Sequence, residues 1–277
     1  MTYKRILTIQ DISCVGQCSL TVALPILSAC GLETAILPSA VLSTHTAGFK
    51  DFTFRDLTDD IPLIRKHWEK EGIKFSAIYT GYLGSTQQIS YVNDIFNSLL
   101  LPDGLRIVDP AMADNGNLYP AFDLDYVAEM RHLAANAHII LPNITEASFL
   151  TGIEYADVYD EAYVDRLLQG LISMGCKEVV LTGVSYEPET TGVVVFDGKE
   201  KVYYKHEKIK DGCHGTGDVY ASAFTGALMS GLSEAEAATI AADYVVCCIK
   251  NTQDDPDHFY GVKFEPMLPW LMERLKK

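Results

Sequence analysis

The sequence is short of positive charge: 22 lysines and arginines face 37 aspartates and glutamates, a formal charge of −15 over 277 residues. That balance opposes non-specific attachment to nucleic acid or to an anionic membrane, so neither is an expected partner. An anionic substrate would have to be held by backbone donors, a lysine or a metal. Long apolar runs are missing too. The opening MTYKRILTIQ has no apolar stretch of signal-peptide length. No segment offers about 20 apolar residues in a row, so no membrane span is expected and a cytoplasmic protein is. The seven cysteines form no framework: Cys14 with Cys18, and the adjacent Cys247 and Cys248, match neither disulfide-scaffold nor zinc-ribbon spacing. They read as small buried hydrophobes. Linkers rich in Pro, Ser or Gly, low-complexity tracts and fixed-period repeats are also lacking. Residues 1–277 are therefore expected to form one domain.

What is present alternates between short β-rich runs and longer helical patterns. Strands are expected at 5–9, within 33–44 (one or two), and at 75–80, 105–108, 138–143 and 178–183. Helices are expected at 18–30, 58–71, 85–99, 126–135 and 158–174, the last with Leu167, Leu168, Leu171 and Ile172 on one face. Residues 192–204 read as a hairpin with a type I′ turn at Asp197-Gly198. Two helices close the core, the second announced by the capping box Ser233–Glu236. Alternating strands and helices imply an α/β fold, a mainly parallel sheet covered on both faces. Ligands in such folds gather beyond the carboxyl ends of the strands. Asp11, Tyr82, Asp109 and Asn143 all follow expected strands closely.

The stretch DGCHGTGDVYASAFTGAL, residues 211–228, carries the chemistry. Glycines before a helix let free N–H groups of the first turn close around an oxygen-rich group, and the helix dipole makes that end positive. Gly215, Thr216 and Gly217 thus form a candidate cradle for a phosphate. An ionised Asp218 beside such a cradle does not help simple anion binding. It makes sense as a base that takes a proton from a hydroxyl attacking a phosphorus held there, because phosphoryl transfer relies on positioning and electrostatics. The plainer alternative is a tight turn with a helix-start carboxylate. Residues 42–58 hold few apolar periodicities and are expected in part to fold over the substrate as a lid.

The pieces HGTGD with a small-residue helix, ILTIQ (6–10), LSTHTAGF (42–49), GYLGS (81–85), VDPAM (108–112) and LPNITEASFL (141–150) stand in an order that resembles the pyridoxal kinase family. That family lies in the ribokinase-like superfamily and is related to the hydroxymethylpyrimidine kinases. The resemblance implies a ribokinase-like three-layer α/β/α fold and transfer of phosphate from ATP to the 5′-hydroxymethyl group of pyridoxal, pyridoxine or pyridoxamine. It implies Asp218 as base and Gly215, Thr216 and Gly217 as the anion hole for the γ-phosphate. Asp109 and Glu146 match the acidic pair near Mg²⁺, which uses few carboxylates and keeps much of its water. Asn143 and Thr182 match positions near the nucleotide, and Asp11, His45, Thr46 and Tyr82 match the pyridine pocket. A homodimer, and possible activation by a monovalent cation such as K⁺, come with the family.

Three departures bear on the substrate. Asp11 stands where pyridoxal kinases often have Ser, Ala113 where a Gly often follows the Met, and Cys213 where the wider superfamily frequently has Thr. A thiol near a helix N-terminus could add reversibly to the aldehyde of pyridoxal as a hemithioacetal. The rival readings are a hydroxymethylpyrimidine kinase of thiamine synthesis, a sugar kinase of the same superfamily, and a non-catalytic vitamin- or nucleotide-binding protein that kept the fold.

Overall fold

The computed structural model describes residues 3–209, 213–255 and 257–276. Asp211 and Gly212 of the glycine-rich stretch lie outside the described residues. In chain order the first half comprises β1 (Arg5–Val15), α1 (Leu20–Ala29), β2 (Glu33–Thr44), β3 (Phe54–Asp56), α2 (Ile61–Lys70), β4 (Phe75–Thr80), α3 (Thr86–Leu99), β5 (Leu100–Val108), β6 (Ala113–Asp114) and β7 (Asn117–Leu118). There follow α4 (Leu124–Ala135), β8 (Ile139–Ile140), α5 (Ile144–Thr151), α6 (Glu161–Met174), β9 (Glu178–Thr182), β10 (Thr190–Phe196), β11 (Lys201–Glu207), α7 (Thr216–Met229), α8 (Glu234–Thr252) and, after a 3₁₀ turn, α9 (Leu268–Arg274).

Among the described residues, nine strands form one sheet in the order β11-β10-β9-β8-β5-β4-β1-β2-β3. The run from β9 to β2 is parallel throughout; β3, β10 and β11 pair antiparallel at the two edges. Side chains alternate across the sheet as strand geometry requires. Leu7 and Ile9 of β1 enter one core with α2 to α6, whereas Ile6 enters the other with α1, α7, α8 and α9. Helices on both faces make the fold three-layered, as expected. Among the described residues, no helix is long and apolar enough to cross a membrane.

The expected elements are present, with shifted ends. β1 extends to Val15, and residues 33–44 form one strand. The helix expected from 158 starts at Glu161, where the Asp160 side chain accepts the Tyr163 N–H. The hairpin turn is a correction. Phe196 pairs with Lys201, leaving a four-residue loop, and only Gly198 has a positive φ, 90°. A type I′ turn needs two such residues. Instead the Asp197 carboxylate accepts the N–H groups of Lys199 and Glu200 at 2.8 and 2.7 Å. The expected lid segment contains the edge strand β3, which pairs with Ala40–Leu42.

Candidate active site

The carboxyl ends of β1, β4, β5, β8 and β9 point the same way because the strands are parallel. α7 begins above them. A cleft of about 470 Å³ opens there. Its walls bring together Asp109 after β5, Asn143 and Glu146 at the start of α5, Thr182 at the end of β9, and Cys213, Gly215, Thr216, Gly217 and Asp218 at the start of α7.

The N-terminus of α7 is built differently from most of its neighbours. Ser85, Asp123, Asn143, Asp160 and Ser233 each cap a helix through the side chain. α7 has Gly215 at the cap, with φ 77° and no side-chain cap bond. Its first-turn N–H groups therefore stay available to an anion in the cleft. The left-handed φ explains glycine at this position.

Three carboxyls meet in this region, and among the described residues no lysine or arginine acts on their charges. Burial pushes Asp218 up to about 7, opposed by a hydrogen bond from the Ser19 backbone N–H and reinforced by the nearby Asp11. Burial, then Glu146 and Asp218, hold Asp109 well above the usual carboxylate range. Glu146 is pushed up to about 8 by burial. Among the described residues, no donor hydrogen-bonds the Asp109 carboxylate.

Glu146 has a structural task as well. Its Oε1 accepts the Met112 N–H at 3.1 Å, and its Oε2 accepts the Asn143 N–H at 2.9 Å. Asn143 completes the capping box: its Oδ1 accepts the Glu146 N–H and its Nδ2 donates to the Ala113 carbonyl, both at 2.9 Å. No group of three or more His, Cys, Asp or Glu side chains converges on a metal position among the described residues.

Asp11, His45, Thr46 and Tyr82 do not line this cleft. Asp11 is near enough to Asp218, His45 and Tyr82 to act on the charge of each, and the His45 ring lies 5.9 Å from that of His214, which lines the cleft. Asp11 is 5% exposed, and its two oxygens accept the hydroxyls of Ser19 (2.6 Å) and Ser13 (3.0 Å). Both ring nitrogens of His45 are engaged. Nδ1 accepts the Ala47 N–H, which leaves Nε2 to donate to the Tyr260 carbonyl at 2.7 Å. Burial lowers the pKa of this ring. Thr46 is exposed, and Tyr82 is half-buried with its ring 5.4 Å from that of Phe122.

Sequence reasoning missed one wall. Ala242, Val245, Val246 and Ile249 of α8 line the cleft together with Thr182, Gly183 and Val193. Their spacing of i, i+3, i+4 and i+7 marks one helix face, and that signal was available. The sequence did not show that this face borders a cavity as well as a core. Lys208, from the segment after β11, is the only lysine or arginine among the described lining residues.

Residues 58–261 match the family model for phosphomethylpyrimidine kinase. The chain belongs to the phosphomethylpyrimidine kinase family. Membership makes this family member a kinase, an ATP-dependent phosphotransferase. It resembles a Bacteroides thetaiotaomicron protein assigned as a phosphomethylpyrimidine kinase and solved in a crystal form with pyridoxal. The two are 38% identical with a TM-score of 0.91, over 98% of this chain and 96% of the other. Pyridoxal kinase from Lactobacillus plantarum is 31% identical with a TM-score of 0.90, over 98% and 97% of the two chains. A Bacillus subtilis hydroxymethylpyrimidine/phosphomethylpyrimidine kinase is 27% identical over 79% of this chain and 77% of its own. The fold of this kinase is thus that of pyridoxal kinases, the ribokinase-like arrangement.

Proposed function

We propose that this kinase phosphorylates the 5′-hydroxymethyl group of a B6 vitamer (pyridoxal, pyridoxine or pyridoxamine) with ATP as donor. The observation that carries the reading is the position of Asp218. It stands at the uncapped start of α7 in the wall of the cleft, with Asp11 of the Asp11, His45 and Tyr82 cluster near enough to act on its charge. A donor in the cleft and an acceptor alcohol beside that cluster would meet at this carboxylate.

In this reading the first-turn amides of α7, at Gly215, Thr216 and Gly217, hold the transferring phosphoryl group. Asp218 accepts the proton of the attacking hydroxyl. A base held near pH 7 suits that work, since it is ionised when needed and still basic enough to take a proton. The apolar face of α8 and Val193 would pack the flat base of the nucleotide, with Thr182 and Lys208 at its edge. Asp109 and Glu146 would hold Mg²⁺. Their fit rests on two buried carboxyls that repel each other, one lacking any donor among the described residues. A divalent cation supplies neutralisation of phosphate charge when bound. Asn143 keeps Glu146 in place through the capping box.

Support for the vitamer comes from similarity to the Bacteroides protein crystallised with pyridoxal and to the Lactobacillus pyridoxal kinase. A second reading, hydroxymethylpyrimidine as acceptor, draws on the matched family model and the Bacillus relative. Both acceptors are flat nitrogen heterocycles bearing a primary alcohol. A coupled ADP-release assay across both substrate sets, with Mg²⁺ and with or without K⁺, decides between them. Preferential turnover of the pyrimidine would replace the first reading with the second. Sedimentation of the same sample tests the homodimer.

A further inference from the structure

The Asp11 carboxylate sits in β1 and is nearly inaccessible, at 5% exposure. No lysine or arginine compensates it among the described residues. Burying a carboxylate this way is costly unless donors satisfy it. Two donors do: Ser13 Oγ at 3.0 Å and Ser19 Oγ at 2.6 Å. A carboxylate can accept from both sides at once and forms stronger, charge-assisted bonds than a hydroxyl would.

Ser19 is the residue between Asp11 and the proposed base. Its hydroxyl is tied to Asp11, its backbone N–H lies close enough to Asp218 to favour the ionised carboxylate, and the turn it belongs to meets the cradle where the Gln17 carbonyl abuts Gly215. It caps α1 at φ 53° and ψ −134°, a conformation that L-residues rarely adopt and that persists only where surroundings enforce it. The rest of the β1–α1 turn is clamped as well. Gly16, at φ 132°, lies beneath the His45 ring, where a Cβ would come within 2.1 Å of it. The Gln17 carbonyl presses against Gly215, and the Gln17 side chain donates to Glu265 at 2.7 Å.

We propose that Asp11 is a positioning residue for phosphoryl transfer: through Ser19 it holds the β1–α1 turn that orients the Asp218 carboxylate and backs the glycine cradle. The inference rests on the reading of Asp218 as base. It assigns Asp11 a role through another residue rather than direct contact with the acceptor.

The test combines kinetics with amide exchange on the full chain. Asp11→Ala and Ser19→Ala should each lower kcat about tenfold and leave KM for ATP and for the acceptor within about twofold. Because both cut one link, the double variant should be little worse than either single. In both Asp11→Ala and Asp218→Ala the Ser19 N–H should exchange at least about tenfold faster than in the wild-type protein. Asp11→Ser is the substitute if Asp11→Ala does not fold, and Ser19→Ala cuts the same link from its other end, leaving the Asp11 carboxylate in place with Ser13 as its donor. Multiplying effects in the double variant, a change confined to acceptor KM, or unaltered Ser19 exchange would each overturn the proposal. Full turnover by Asp218→Asn would sink the base assignment separately, and the exchange data would still decide whether Asp11 holds the Ser19 amide.

Discussion

Gly215 and Gln17 touch so closely that a Cβ on Gly215 would lie 1.7 Å from the Gln17 carbonyl oxygen. The contact joins the proposed phosphate cradle to the β1–α1 turn, from the opposite end of the chain. With φ at 77°, Gly215→Ala meets both a clash and an unfavourable backbone. We expect kcat to fall by at least about 100-fold, the size of effect seen when one oxyanion donor is lost. Thermal unfolding of the same variant should show a loss of about 1–3 kcal/mol. Near-normal turnover would mean that the cradle tolerates displacement and does not hold the reacting group.

Asp218→Asn keeps the shape of the side chain and removes its capacity to take a proton. The expected outcome is a fall in kcat of about 100-fold or more, within the range for general base catalysis. ATP affinity, measured by calorimetry, should stay within about threefold of wild type. Retained turnover would assign Asp218 to the helix start alone.

The pH dependence follows from the environment of Asp218, whose pKa burial raises to about 7. Only the ionised form accepts a proton, so kcat/KM should decline below about pH 7, approaching tenfold per unit. A profile that stays flat down to pH 5 contradicts the assignment.

Glu178 tests the same physics away from the cleft. Burial, with Glu234 and Asp197 nearby, raises its pKa to about 7. The folded state therefore binds a proton that the unfolded chain has released, and stability declines as pH rises from about 4.5 to about 7. Glu178→Gln removes the buried charge. Its melting temperature should exceed that of the wild type by about 3 °C at pH 8, after allowing for solvent screening, and by nothing at pH 4. An equal difference at both pH values would point to packing in place of ionisation.

Cys213 lines the cleft two positions before Gly215. If its thiol adds to the aldehyde of pyridoxal, Cys213→Ala should reduce turnover of pyridoxal several-fold more than that of pyridoxine or pyridoxamine. Equal effects on the aldehyde and alcohol forms would remove the case for a thiol adduct.

The sequence alone carried the alternation of strands and helices, and with it the parallel sheet. Period-two and period-3.6 patterns are local, and so are caps such as Ser233–Glu236. It also singled out Asp218 and its glycines as the proposed site, because a helix start and a carboxylate three positions beyond the cap are near neighbours in the chain. What it could not contain was the partner of each group. That Glu146 serves the Met112 and Asn143 amides depends on β5 and β8 lying side by side. That α8 walls the cleft, and that Ser19 reaches Asp218, depends on how helices pack across the sheet. The Asp197 turn shows the same limit on a small scale: strand register chose a four-residue loop where the dipeptide suggested two. Local pattern determines which elements form, whereas contacts between distant segments exist only once burial has brought those segments together.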